Sequence, residues 1–360
     1  MITYTKQMKK FLNKLQKDFM LKDYSMFLFS TPLELGLVTL DNFEQFKDNL
    51  PYNNFLNNSI QSIPKEETST NPYYKNIKIN QAIQGNYVLA NKRIIPKNTL
   101  CSYDEMEFDP ITFDFKPHYF ACNKYLHCPM IKEKDSLNCW MSVEPFEINS
   151  FKKTIDEAHG NVLLIGLGLG YLAYMLSEKE DVNSITVVEL QPDIINLFKN
   201  NILDQFPNKN KINIINDNGI DFINNHDLSK YNCINTDIWL ETSDMLPYYL
   251  SVLPQEKIYQ NTKFSYWLEK ELKTEVQKSM IRVATGLTLE EYSFDVVARQ
   301  LLSTIDVTSK KEFTEALKLN NFRNSMLELT TSNPNILSDN HISGNKEQVI
   351  IQYQKTYSKN

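Results

Sequence analysis

The chain has 360 residues, 42% of them hydrophobic and 23% charged, which is enough apolar content for a sizeable core and excludes pervasive disorder. A formal net charge of −6 predicts no broad basic face for duplex nucleic acid, so a nucleic-acid partner is not expected. Five cysteines make no disulfide framework, and the N-terminus MITYTKQMKKFLNKLQKDFM carries charges every few residues where a signal peptide would be apolar. The most apolar early stretch, Met26 to Leu40, is broken by Pro32 and Glu34 and is too short to span a bilayer. The expectation is a cytoplasmic protein with no membrane partner.

Residues 1–50 read mainly as helices. Met8, Phe11, Leu12 and Leu15 recur at helical spacing, and Lys9, Lys10, Lys14 and Lys17 form a solvated face. Residues 51–80, rich in Asn, Ser, Thr and Pro, read as a loop. From about 84 to 145 the pattern shortens to strands at Tyr87-Val88-Leu89, Ile111-Thr112-Phe113 and Tyr119-Phe120-Ala121-Cys122. His118, Cys122, His127, Cys128 and Cys139 gather in this stretch, but their spacing matches no paired zinc motif, so buried thiols are predicted and no metal.

At about 147 the texture changes. Phe146 to Glu157 reads as a helix with Ile148, Phe151 and Ile155 on one stripe. Asn161 to Ile165 is an apolar run with the content of a buried parallel strand. A helix over Tyr171–Ser177, a strand over Ser184–Val188 and a helix over Pro192–Asn201 follow. Then come a strand over Lys211–Ile215, a helix over Gly219–Asn225 and a strand over Tyr231–Thr236. This alternation predicts βαβ units around a parallel sheet. Lys263 to Trp267 is a candidate fifth strand. Leu268 to about Ala284, Glu290 to about Leu302 and Lys310 to Leu319 read as helices, and the polar residues from about Thr331 as a frayed tail.

The main chemical signal is the turn Gly166-Leu167-Gly168-Leu169-Gly170 between the first strand of this series and its helix. Glycines allow a tight turn and the close approach of a ligand, and the helix start offers free N–H groups. The dinucleotide pattern G-x-G-x-x-G would place its last glycine where this chain has Tyr171, which disfavours a diphosphate and suits a ligand without phosphate. The second strand ends in Glu189, a carboxylate placed to accept hydrogen bonds from a ribose diol. The third ends in Asp217-Asn218 and the fourth in Asp237, so the same edge of the predicted sheet gathers all four elements.

The segments VLLIGLGLGYLAYML and ITVVELQPDII resemble the class I S-adenosylmethionine-dependent methyltransferases over about 147–240. The resemblance implies that Gly166, Gly168 and Gly170 wrap the amino-acid and ribose part of S-adenosylmethionine and that Glu189 holds the ribose hydroxyls. It further implies that Asp217 and Asn218 lie beside adenine and that Asp237, the candidate catalytic residue, faces the substrate. Leu164 stands where many members carry an acid. The spermidine synthase branch also has an apolar residue there, and its texture is echoed in VVELQPDII, in Gly219-Ile-Asp-Phe222-Ile223 and in Tyr231 to Asp237. That branch's Asp-Ser-x-Asp-Pro signature is absent, because Ile238-Trp239-Leu240-Glu241 follows Asp237.

The resulting fold class is α/β: a Rossmann-like methyltransferase sheet with an N-terminal helical and β-rich region and a helical C-terminal extension. Residues 1–146 form the first part, 147–290 the S-adenosylmethionine-binding domain and 291–360 the extension with its polar tail. The hairpin that closes the methyltransferase sheet is not visible. Glu144 and Glu147, before the first strand of the series, read either as helix-start charges or as substrate contacts. Trp239 and Tyr171 read either as core or as pocket wall. The leading expectation is a methyltransferase acting on a small molecule or a protein. A spermidine synthase-like aminopropyltransferase using decarboxylated cofactor and a non-catalytic nucleoside-binding or assembly relative are the alternatives. Self-association as a homo-oligomer stays open.

Overall fold

Thr5 starts the first helix, Lys6–Glu34, by accepting a hydrogen bond from the Met8 N–H at 3.2 Å. Met8, Leu12, Leu15, Phe19 and Met26 are buried along one stripe, while Lys9, Lys10, Lys14 and Lys17 are exposed, as the spacing predicts. Pro32 falls in the last turn of the helix, and Gly36 follows in the left-handed region at φ +68°. The computed structural model describes residues 5–60, 70–135, 139–288, 293–305, 307–333 and 336. The predicted 51–80 loop holds a 3-10 turn at Asn54–Leu56 and a short helix at Pro72–Asn76, and its middle lies outside the described residues.

Six strands come next. β1 (Ala82–Gln84), β2 (Tyr87–Ile95), β5 (Leu126–Glu133) and β6 (Cys139–Ser142) form an antiparallel sheet in the order β1-β2-β5-β6. β3 (Leu100–Asp109) and β4 (Asp114–Ala121) form a separate hairpin. Tyr87-Val88-Leu89 lies in β2 and Tyr119-Phe120-Ala121 in β4. Ile111-Thr112-Phe113, read as a strand, is instead the turn that joins β3 to β4. There the Asp109 carboxylate accepts the Ile111 N–H at 2.9 Å, a local bond that competes with strand pairing, and Phe113 turns to φ +58°. Lys22 of the first helix donates to the Thr112 and Phe113 carbonyls at 3.1 and 3.2 Å and pairs with Asp114 at 2.9 Å, so the turn is bolted to the helix.

β7 (Gly160–Ile165), β8 (Val182–Glu189), β9 (Ile212–Asn216), β10 (Cys233–Thr236) and β11 (Lys263–Tyr266) form one parallel sheet in the order β11-β10-β7-β8-β9. The chain starts in the middle, runs outward to β9 and returns to the other side of β7, which is the order of a Rossmann-like sheet. Its topological switch point lies between β7 and β10. Helices Tyr171–Ser177, Pro192–Asn201 and Gly219–Asn225 take the predicted places and bounds. Pro192 sits in the first turn of its helix with Asp193, where a missing N–H costs nothing and a negative charge favours the dipole. The helix read over 146–157 is two, Pro145–Ser150 and Lys152–Glu157, joined at Phe151, whose ring stays buried. Among the described residues no strand follows β11. Helices Glu269–Thr285, Ser293–Ser303, Lys310–Lys318 and Phe322–Ser332 come instead. The start predicted at Glu290 and most of the predicted frayed tail lie outside the described residues.

Strand alternation sends Leu163 and Ile165 of β7 to one face of the sheet and Val162 and Leu164 to the other. On the first face they join Phe19 of the first helix, Phe115 of β4, Met280 and Met326, so the two ends of the chain share one core. The opposite core joins Leu169, Tyr174, Ile185 and Phe198 to Tyr73 and to Leu89 of β2. Among the described residues no helix is long and apolar enough to cross a membrane.

Within the first core, Arg282 donates from Nε and Nη2 to Asp295 Oδ1 at 3.1 and 3.0 Å, with side chains 3% and 0% exposed. Replacing one partner of such a pair leaves a buried charge uncompensated. Asp295→Ala should therefore cost about 3–5 kcal/mol in urea unfolding. A loss under about 1 kcal/mol would show that the pair does not lock Ser293–Ser303 onto Glu269–Thr285.

Candidate functional site

Gly166, Gly168 and Gly170 all adopt positive φ, at +100°, +52° and +72°. Each also faces an atom that a side chain would strike. A Cβ on Gly166 would lie 2.0 Å from the Asp237 carbonyl oxygen, on Gly168 2.3 Å from the Met141 Sδ, and on Gly170 2.2 Å from the Phe198 ring. The turn therefore needs glycine for its backbone and for its packing alike. Hydrogen bonds fix it at the switch point: Gly166 N–H to the Val188 carbonyl, Asp237 N–H to the Ile165 carbonyl and Gly170 N–H to the Leu167 carbonyl, each at 2.9 Å. From the helix Pro72–Asn76, the fully buried Tyr73 hydroxyl donates to the Leu169 carbonyl at 2.7 Å.

Glu189, the last residue of β8, points at this turn. Its Oε2 accepts the Leu167 N–H at 3.1 Å and its Oε1 the Gln191 N–H at 2.8 Å. A carboxylate has about four acceptor positions, so acceptor capacity remains for a ligand hydroxyl. Burial raises its pKa, and the N–H donors pull the other way. Asn216 Nδ2 donates to the Glu189 and Leu190 carbonyls, both at 2.9 Å, and so holds the β8 end in place. Asp217 is half-buried beside it. Asn218 is exposed, and its side-chain oxygen accepts the Ile220 and Asp221 N–H groups at 2.9 and 3.2 Å. That oxygen caps the helix Gly219–Asn225.

Asp237 lies at the end of β10, across the switch point from the glycine turn. Burial, with the Glu189 charge added, pushes its carboxyl up to about 7. Glu147 joins it from the helix Pro145–Ser150. Burial, then the charges of Asp237 and Glu144, raise the Glu147 carboxyl well above the carboxylate range. Glu144 precedes that helix and bonds Arg93 at 3.0 Å. Glu147, Asp237 and Glu189 thus form a partly desolvated run of acids with Glu144 at its outer end. A site of this kind gains from a cation, which relieves the mutual repulsion, and rejects a diphosphate.

Trp239 is core: it is buried, and its Nε1–H donates to the Trp267 carbonyl at 3.0 Å. Tyr171 is also buried, accepting from Asn71 at 3.1 Å with its ring against Tyr73. Leu164 packs in the opposite core. Of the thiols, Cys122 and Cys128 are buried and Cys139 is half-buried, and the Cys101 and Cys122 sulfurs lie 3.7 Å apart. Among the described residues no three His, Cys, Asp or Glu side chains converge as a metal set. Tyr73, Met141 and Asn216 are parts of the site that sequence reasoning missed. Each acts through a contact with a distant segment, and none carries a local motif.

No family model matches the chain, and no curated protein matches its sequence. Solved structures that it resembles in part include a spermidine synthase from Thermotoga maritima, with 14% identity over 48% of this chain and 68% of that one and a TM-score of 0.27. Trm5b from Pyrococcus abyssi matches with 14% identity over 54% and 53% of the two chains and a TM-score of 0.25. A coclaurine N-methyltransferase bound to N-methylheliamine and SAH matches with 12% identity over 57% and 70% and a TM-score of 0.25. At these scores the likenesses add nothing to the strand order, on which the fold assignment rests.

Gly166→Ala forces a Cβ into the Asp237 carbonyl at positive φ and should lower stability by more than about 1 kcal/mol in denaturant unfolding. A neutral result would mean that the turn is not seated against β10. The raised Asp237 carboxyl gives a second expectation. Between its ordinary value of 3.8 and about 7 the folded chain holds a proton that the unfolded chain has lost, so stability falls as pH rises through that window. Asp237→Asn should gain on the parent from pH 4 to about pH 7 and level off above it. A difference that stays flat with pH would show an ordinary Asp237.

Proposed function

We propose that the cleft at the β7–β10 switch point binds S-adenosylmethionine and that the protein is a transferase using it, most simply a methyltransferase acting on a small molecule or a protein. One observation carries the reading: the three-glycine turn, Glu189 and Asp237 meet at a single point, walled by carboxylates. The donor set fits the cofactor. Glu189 retains acceptor capacity for a ribose diol, and the acids favour a sulfonium over a phosphate. Met141 lies against Gly168, so a nucleoside reaching the turn displaces an unbranched, flexible side chain, not backbone.

Bound there, the cofactor supplies an electrophilic carbon on a sulfonium. Glu189 orients the nucleoside through the ribose. Asp237 Oδ, with its carboxyl near 7, is suited to take a proton from an attacking amine at neutral pH. Glu147 adds negative potential on the same side and helps hold a cationic acceptor. A second reading, aminopropyl transfer from the decarboxylated cofactor, draws on the same side chains, because Glu144, Glu147 and Asp237 together provide acids of the kind that a diamine needs.

Calorimetry tests this. S-adenosylhomocysteine should bind, and Glu189→Ala should weaken it at least about tenfold, roughly 1.4 kcal/mol. The cationic S-adenosylmethionine favours ionised Asp237, so its affinity should fall as pH drops from 7.5 to 5.5, more steeply than that of the neutral product. Preference for 5′-methylthioadenosine with a diamine would favour aminopropyl transfer. No nucleoside binding would sink both readings.

A further inference from the structure

The antiparallel sheet β1-β2-β5-β6 is seated on the same two segments that Glu189 bridges. Glu189 accepts the Leu167 N–H of the glycine turn and the Gln191 N–H before the helix Pro192–Asn201. At the first of these, Met141 of β6 meets Gly168. At the second, the β1–β2 turn rests on the start of the helix. A Cβ on Gly85 would fall 1.9 Å from Asp193 Oδ2, and Gln84 Nε2 donates to Asp193 Oδ1 at 3.2 Å.

Tyr87 follows that turn as the first residue of β2. It faces Glu133 of β5 in register, and strand alternation puts it on the same side as Leu89, in the core that holds Leu169 and Ile194. The residue is only 9% exposed, yet its hydroxyl has no hydrogen-bond partner among the described residues. A tyrosine hydroxyl on a buried ring usually finds one. Burial, then the charges of Glu133, Glu189 and Asp193, raise its pKa. It therefore keeps its proton at neutral pH and stands as a donor among acceptors.

Trp140 packs edge-on against the Tyr87 ring, with 5.2 Å between centroids. Its placement comes from a bulge. Ile131 pairs with Met141 and Lys132 with Cys139, so Trp140 is an extra residue on β6. A bulge re-aims a side chain, and bulges are common beside binding sites. Here it lets Trp140 and Met141, which would alternate on a regular strand, both pack on the core that contains Leu167 and Leu169.

We propose that Tyr87 donates a hydrogen bond to the ribose of the bound nucleoside and that Trp140 and Met141 line the same wall, so that the N-terminal sheet completes the nucleoside pocket. This rests on the reading of the cleft as a nucleoside site. The chemistry is complementary. A ribose hydroxyl that gives its hydrogen to Glu189 keeps lone pairs that can accept one, and an ionised carboxylate has none to give. Tyr87 supplies it, next to Glu189 and on an element outside the parallel sheet.

Calorimetry on the full chain tests the donor. The parent should bind S-adenosylhomocysteine and should prefer adenosine to 2′,3′-dideoxyadenosine. Tyr87→Phe keeps the ring and removes only the hydroxyl. It should weaken S-adenosylhomocysteine by about fivefold and shrink the preference for adenosine by a similar factor. A loss of packing alone would weaken both nucleosides alike. Tryptophan emission tests the wall: a nucleoside should shift it in the parent, and Trp140→Phe should abolish the shift while S-adenosylhomocysteine still binds. Thermal unfolding checks that each variant is folded. An affinity unchanged in Tyr87→Phe, or an equal loss for both nucleosides, overturns the donor role, and a shift that survives Trp140→Phe overturns the wall. Either result leaves the cleft reading standing if S-adenosylhomocysteine binds and Glu189→Ala weakens it. A parent that binds no nucleoside sinks that reading and this inference with it.

Discussion

The site depends on one close approach, that of the Gly166 backbone to the carbonyl of Asp237. β7 and β10 are neighbours in the sheet but lead to opposite sides of it, β7 through the helix Tyr171–Ser177 to β8 and β10 through the helix Thr242–Val252 toward β11. At such a switch point the loops ordinarily part and leave a crevice. Here the Asp237 N–H donates to the Ile165 carbonyl, and the Asp237 carbonyl sits where a Gly166 side chain would be. Two loops from distant parts of the chain are pressed together at backbone distance. Everything further out, Glu189 against the Leu167 N–H and Met141 against Gly168, takes its position from that contact.

This seating has an electrostatic consequence. It brings Asp237 within reach of Glu189 and Glu147, and like charges that share a partly desolvated space raise one another's pKa. Apart from Arg93 on Glu144, no arginine or lysine among the described residues pairs with these acids, so backbone N–H groups carry much of the compensation at Glu189. An arrangement of this kind is unfavourable for folding near neutral pH and becomes favourable once a cation enters, which is the ordinary relation between a binding site and the stability it gives up.

Much of the sheet was legible because parallel strands are buried on both faces and read as apolar runs. Helices Tyr171–Ser177, Pro192–Asn201 and Gly219–Asn225 were legible because a glycine, a proline and an asparagine mark their starts. The glycine turn and the acids at the strand ends were readable for the same local reasons. Ile111–Phe113 misled because its β-branched and aromatic content suits a strand, whereas the Asp109 carboxylate and the Lys22 ammonium fix it as a turn from one local and one distant position. Asn218 has the composition of a ligand contact, but its oxygen is committed to the next helix. Tyr73 and Met141 were invisible because their importance is the contact each makes with the turn, 96 and 27 positions away in sequence, a property of packing with no local signature.

The N-terminal region bears on the site through two routes that run on opposite faces of the sheet. On one, Tyr73 and Met141 reach the glycine turn directly. On the other, the first helix shares its core with β4 and with Glu269–Thr285, and the short helix carrying Glu147 is packed against β3. β3 therefore supports the helix that carries Glu147, whose carboxyl is raised by burial and then by the Asp237 charge. A lone Rossmann-like sheet would have a rigid edge and a solvated acid at the tip of its fourth strand. Folding the N-terminal segments over that edge turns the same acid into a partly desolvated one, raised by burial and then by the Glu189 charge.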